Sequence, residues 1–199
     1  MAMKLFADDV KFLQRFLISA GFKPGPIDGI YGSQTDAAAM ALEALTIQIA
    51  TDLGSFDLRT ERCIQTLHPR AQQAARKFMR KVLDAGIQAR IISGTRTYAE
   101  QNELFRKGRF GNPGPRVTNA RGGQSNHNFG IAWDLGIFDN GNYLGESPLY
   151  KKAAQTGLVE GLEWGGNWIT FPDLPHYQLA TNKSIQIVQA DFENGELFV

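Results

Sequence analysis

A chain of 199 residues holds one large domain or two small ones. Hydrophobic residues make up 43% and charged residues 21%, ordinary figures for a soluble globular protein. A formal net charge of +1 gives no electrostatic case for a nucleic-acid or membrane-surface partner. The single cysteine, Cys63, excludes an intramolecular disulfide and any cysteine-built zinc site, and reads as a small core residue. The first nine residues, MAMKLFADD, lack the apolar centre of a secretory signal, and no run approaches membrane-spanning length.

In chain order, Asp8 or Asp9 can cap a helix running to about Ala20, with Val10, Leu13 and Leu17 on one side and Gly21 as its stop. A turn-rich loop, Lys23 to Gly32, follows. Ser33 and Asp36 read as a capping box opening a second, Ala-rich helix that reaches Ala50. The segment PGPIDGIYGSQT, with Asp28, Gly29, Gly32 and Thr35, resembles the small helical peptidoglycan-binding domain of wall hydrolases. Asp28 and the glycines are expected to shape the loop. Tyr31, an aromatic face at its tip, is the candidate wall contact. The expected division is a helical domain over 1–50, a short link over 51–56 and a second domain over 57–199.

Beyond the link, helices are expected from Leu58 to Leu67 and from Pro69 to Ala85. His68 precedes Pro69 and reads as a capping or packing residue. Ala89 to Ser93 is a short strand. It runs into Thr97 and Glu100, a capping box for a helix to about Lys107. Arg96 thus sits at a strand-to-helix turn. A surface arginine is the commonest fate of that residue type, but the turn also suits holding a carboxylate or a developing oxyanion. Residues 109–124 read as a long loop and a candidate cleft wall, in which Arg121 is either a substrate contact or a solvated charge.

The stretch SNHNFGIAWD carries most of the chemistry. Gly130 to Phe138 alternates as a strand, with Ile131, Trp133, Leu135 and Ile137 on one face. Gly130, Ala132, Asp134 and Gly136 make a small opposite face on which one carboxylate stands out. His127 has the wrong parity for that face, so a bend at Asn128-Phe129-Gly130 is needed. Asp139-Asn140-Gly141-Asn142 is a hairpin turn, and Ser147-Pro148 opens a helix to about Thr156. Trp164 and Trp168 flank a Gly pair that implies close backbone approach; Trp164 is expected near the site and Trp168 packed. A strand continues from His176, and a terminal helix from Lys183 is expected to pack on the sheet. His127, Asp134 and His176 together make a three-ligand set that leaves a coordination position open, as catalytic zinc requires.

SNHNFGIAWD, GLEWGGNW and DLPHYQL together resemble the zinc D,D-peptidase family, which includes D-alanyl-D-alanine carboxypeptidases and the dipeptidases of vancomycin resistance. The likeness is greatest to its L-alanyl-D-glutamate endopeptidase branch, where several phage endolysins belong. The resemblance implies an α+β fold: a small antiparallel sheet with flanking helices carries the zinc site, preceded by a small all-α domain. It implies Zn2+ on His127, Asp134 and His176, Asp173 as general base and Arg96 on substrate; Ser125, Trp164 and Arg121 are candidate substrate contacts, each set against a structural role. The implied substrate is the peptidoglycan stem peptide, cut at L-alanyl-D-glutamate or, alternatively, at D-alanyl-D-alanine. The expected partner is peptidoglycan, with no nucleic acid, no membrane and no second copy of the chain. Action in the periplasm or wall, without a signal, implies release by phage lysis or dedicated secretion. A non-haem iron oxygenase also uses two His and a carboxylate, but at closer spacing. A non-catalytic wall binder would lack Asp173.

Overall fold

The computed structural model describes residues 6–199; the leader reading of residues 1–5 lies outside them. The chain forms two compact units. The first combines the chain up to Ile47 with Arg96–Phe129 and Thr181–Val199. The second combines Gln48–Thr95 with Gly130–Ala180.

The first unit holds helices α1 (Ala7–Ser19), most of α2 (Ser33–Leu53), α5 (Tyr98–Arg106), a 3-10 turn (Asn126–Phe129) and α7 (Ile185–Asn194). α2 opens one residue earlier than a capping box at Ser33 requires, because it begins at Ser33 itself. The Gly32 carbonyl accepts the Asp36 amide, and the Asp36 carboxylate takes the Tyr31 hydroxyl instead. α2 also runs past Ala50 to Leu53. The loop before it is built as expected. Asp28 accepts from the Gln14 amide and the Ile30 N–H, and the buried Thr35 hydroxyl donates to the Pro24 carbonyl. Gly29 has φ +80°, and a Cβ there would strike the Ala7 carbonyl, so only glycine fits.

The terminal helix finds its partners within the first unit. α7 lies against α1 and the 3-10 turn. The reason is aromatic: Phe192 meets Phe12, Phe129 and Phe198 at centroid distances of 5.5, 5.3 and 6.2 Å. Together these rings form an apolar cluster that α7 covers.

The second unit holds α3 (Leu58–Ile64), α4 (Pro69–Asp84), β1 (Ala89–Ser93), β2 (Ala132–Asp139), β3 (Asn142–Leu144), α6 (Leu149–Gly157), β4 (Leu162–Trp164) and β5 (His176–Leu179). All strand pairs are antiparallel, in the order β1-β2-β5-β4 with β3 also on β2. The β2–β3 hairpin turns through Asn140 and Gly141, both at positive φ, as a tight primed turn demands. The apolar face of β2 is buried as its alternation predicts: Ile131, Trp133, Leu135 and Ile137 are all fully covered. Trp133, Leu135 and Ile137 share one core cluster with Phe78, Met79 and Val82 of α4 and Tyr150, Ala153 and Ala154 of α6. His68 caps α4, its Nδ1 accepting the Arg70 N–H at 3.3 Å.

An ion pair between two helices of this unit is largely buried. Arg76 on α4 meets Glu61 on α3 through two bonds of 2.8 Å and donates to the Gly54 carbonyl at 2.9 Å. Glu61 also accepts the Phe56 N–H. The pair pins both helices and the segment leading into α3. Removing one partner leaves the other charge buried, so Glu61→Ala should lower unfolding stability by about 3–5 kcal/mol in a denaturant titration. A loss below about 1 kcal/mol, the range of an exposed pair, would contradict this role.

Candidate metal centre

Strand register builds the first half of the centre. Asp134 on β2 lies directly opposite His176 on β5, so both side chains project from the same face. The other face is taken by the next pair along, Trp133 and Tyr177, whose rings stack 6.2 Å apart in the core. The neighbours of Asp134 on the β2 face, Ala132 and Gly136, are small. His176 Nδ1 stands 3.4 Å from an Asp134 carboxylate oxygen, and its Nε2 lies 3.0 Å from Gln178 Oε1.

The bend expected before β2 is the 3-10 turn, followed by Gly130 at φ +70°. It carries the buried His127. Asn128 holds this turn. Its side chain donates to the Arg96 and Thr97 carbonyls at 2.9 and 3.3 Å and accepts the Gly123 N–H at 2.9 Å. The Arg96 N–H in turn donates to the His127 carbonyl. The Thr97–Glu100 capping box is formed, which fixes the turn on which Arg96 sits. Buried Gln101 accepts from the Arg96 guanidinium at 3.2 Å, so that side chain has a defined direction.

Each of His127, Asp134 and His176 offers a ligand atom, and these atoms all lie within 4.8 Å of one another. Tetrahedral zinc with bonds of about 2.0–2.2 Å separates its donor atoms by about 3.3–3.6 Å. The Asp134–His176 separation of 3.4 Å falls inside that window, and two imidazoles with one carboxylate are a fitting donor set. The residues therefore fit a metal ion.

Asp173 closes a tight turn onto His176: its carbonyl accepts the His176 N–H, and its own N–H donates to the Gly165 carbonyl. Gly165 cannot be larger, because a Cβ would meet the Asp173 carbonyl and the His176 Cβ. The close approach expected of the Gly pair is thus located. The two indoles exchange the placements expected of them. Trp164 is 8% exposed, in the core, with its N–H on the Leu174 carbonyl. Trp168 is 36% exposed, with its ring centroid 5.0 Å from that of His176. Register explains this: Trp164 pairs with core-facing Tyr177, so its side chain goes to the core side. Ser125 accepts the Asn128 N–H through its carbonyl. Arg121 is exposed and lies over the Phe105 ring at 5.0 Å. Tyr31 is 40% exposed at its loop tip.

A family model described as D-alanyl-D-alanine carboxypeptidase matches residues 118–179, a span that includes His127, Asp134, Asp173 and His176. A model described as a putative peptidoglycan binding domain matches residues 7–44. The peptidoglycan L-alanyl-D-glutamate endopeptidase CwlK of Bacillus subtilis is 36% identical over 127 residues, 58% of this chain and 75% of that protein. A solved structure of the Serratia marcescens L-Ala D-Glu endopeptidase ChiX is 27% identical, with a TM-score of 0.48, over 64% of this chain and 90% of that one.

Burial pulls the pKa of His176 down, but the hydrogen bond and charge of Asp134, with Gln178 and Asp173, outweigh it and hold the pKa above the usual 6.5. In the metal-free chain this contributes stability that is complete below the unfolded value and is lost as pH rises through the raised folded value. A metal must displace that proton. Zinc affinity should therefore weaken as pH falls through the raised value, with proton release on loading. Calorimetry in buffers of different ionisation enthalpy checks this; affinity that stays flat across the neutral range would contradict it.

Proposed function

The chain belongs to the peptidase family of the D-alanyl-D-alanine carboxypeptidases, and from that premise we propose that it is a zinc peptidase cutting the L-alanyl-D-glutamate bond of peptidoglycan stem peptides. The observation that carries the reading is the convergence of His127, Asp134 and His176 within the matched segment. The bond is suggested by the relative from Bacillus subtilis. The peptidoglycan-binding match over residues 7–44 supports the same polymer and would act as its targeting module, with exposed Tyr31 as a contact. The enzyme acts where that polymer is, in the wall or periplasm.

His127, Asp134 and His176 would hold the zinc. A zinc ion held there would supply a water of lowered pKa and polarisation of an amide carbonyl. Asp173 is the general base: it takes the water's proton and delivers it to the leaving amine. Its turn onto His176 supports the role, since Pro175 fixes φ and the Gly165 contact leaves the turn little freedom. Arg96, directed by Gln101, holds the scissile carbonyl oxygen or a substrate carboxylate. Trp168, beside His176 and partly exposed, offers a wall for the substrate backbone; Ser125 and Arg121 are further contacts.

Digestion of purified sacculi followed by mass spectrometry tests the bond. New amino-terminal D-glutamyl peptides are expected. Release of D-alanine alone would establish the carboxypeptidase reading instead. Asp173→Asn should retain the metal and lose about 10²–10⁴-fold in kcat. A variant that turns over at the native rate would place the base elsewhere.

A further inference from the structure

Beside the centre, one row of polar side chains takes no part in the chemistry described so far. Period two along β5 puts Gln178 on the same face as His176. The β4–β5 register sets Glu163 directly opposite Gln178, and the β2–β5 register sets small Ala132 on its other side. The row is hydrogen-bonded end to end. The Gln178 amide nitrogen donates to Glu163 Oε2 at 2.8 Å, and Gln178 Oε1 lies 3.0 Å from His176 Nε2.

The chemistry of the three groups fixes the direction of each bond. An ionised carboxylate only accepts, so Glu163 must face the NH2 end of Gln178. That leaves the carbonyl oxygen of the amide towards His176, and an oxygen cannot donate. The ring atom facing it must therefore carry the proton. With Nε2 protonated, a neutral imidazole has its lone pair on Nδ1, the atom 3.4 Å from the Asp134 carboxylate. Two acceptors facing one another at that distance repel unless a cation lies between them.

We propose that Gln178 and Glu163 are positioning residues that hold His176 in its Nε2–H tautomer, with Nδ1 presented to the metal; this rests on the zinc reading above. Glu163 acts through Gln178 by preventing the amide from flipping, and Gln178 acts on the ring itself. The outer partners of a metal-bound histidine fix its tautomer and raise its basicity, and their loss weakens metal binding by about 10–100-fold. Because Glu163 is exposed, its own effect should be the smaller of the two.

The test uses the full-length chain, with zinc affinity measured by competition with a chromophoric chelator. Gln178→Leu should weaken zinc by about 10–100-fold, while the metal-free variant unfolds near the wild-type midpoint. Glu163→Ala should weaken it less, and the double variant no more than Gln178→Leu alone, since the two act in series. Long-range proton–nitrogen NMR of the zinc-loaded wild type should show His176 with its proton on Nε2. Wild-type affinity in Gln178→Leu, or additive losses in the double variant, would overturn the relay. A proton on Nδ1 in the loaded wild type would do so even if Gln178→Leu failed to fold. A wild-type chain that binds no zinc would instead remove the zinc reading, and this inference with it.

Discussion

The site depends on one pairing: Asp134 opposite His176 across β2 and β5. A slip of one residue in that register would turn one member of the pair into the core and bring Trp133 or Tyr177 to the open face. The register is held by burial rather than by the polar groups themselves. Trp133, Leu135, Ile137 and Tyr177 are fully covered, and each fully buried side chain of this size is worth about 1.5–3 kcal/mol relative to exposure. The polar pair is costly to desolvate and is imposed by the apolar face behind it.

The same division of labour recurs around the centre. His127 is placed by a turn, and the turn is held by Asn128, a fully buried amide that bonds to three backbone groups. Asp173 is placed by a turn held against Gly165. Arg96 is placed by a capped helix start and directed by Gln101. In each case a neutral residue fixes a member of the proposed site, which is the arrangement preorganised catalysis requires.

Much of this was legible in the sequence, for identifiable reasons. Alternation over Gly130–Phe138 gave the strand and its two faces. The parity of His127 gave the bend, and Thr97 with Glu100 gave a capping box that forms. What escaped were features set by cross-strand register, which one strand read alone does not contain. Trp164 and Trp168 are assigned to opposite surroundings by the pairing of Trp164 with Tyr177. Gln178 is an unremarkable polar residue until β4 sets Glu163 beside it. The partners of the terminal helix were not legible either: its apolar stripe fits any apolar surface, and the rings it meets, Phe12, Phe129 and Phe198, are dispersed along the chain.

The central claim is that His127, Asp134 and His176 form one metal centre. Anomalous diffraction at the zinc edge from crystals of the loaded protein tests it directly. The account predicts a single peak at about 2.0–2.2 Å from His176 Nδ1, an Asp134 oxygen and a His127 ring nitrogen. A peak lying away from this triad, or missing one of the three residues from its ligands, would contradict it.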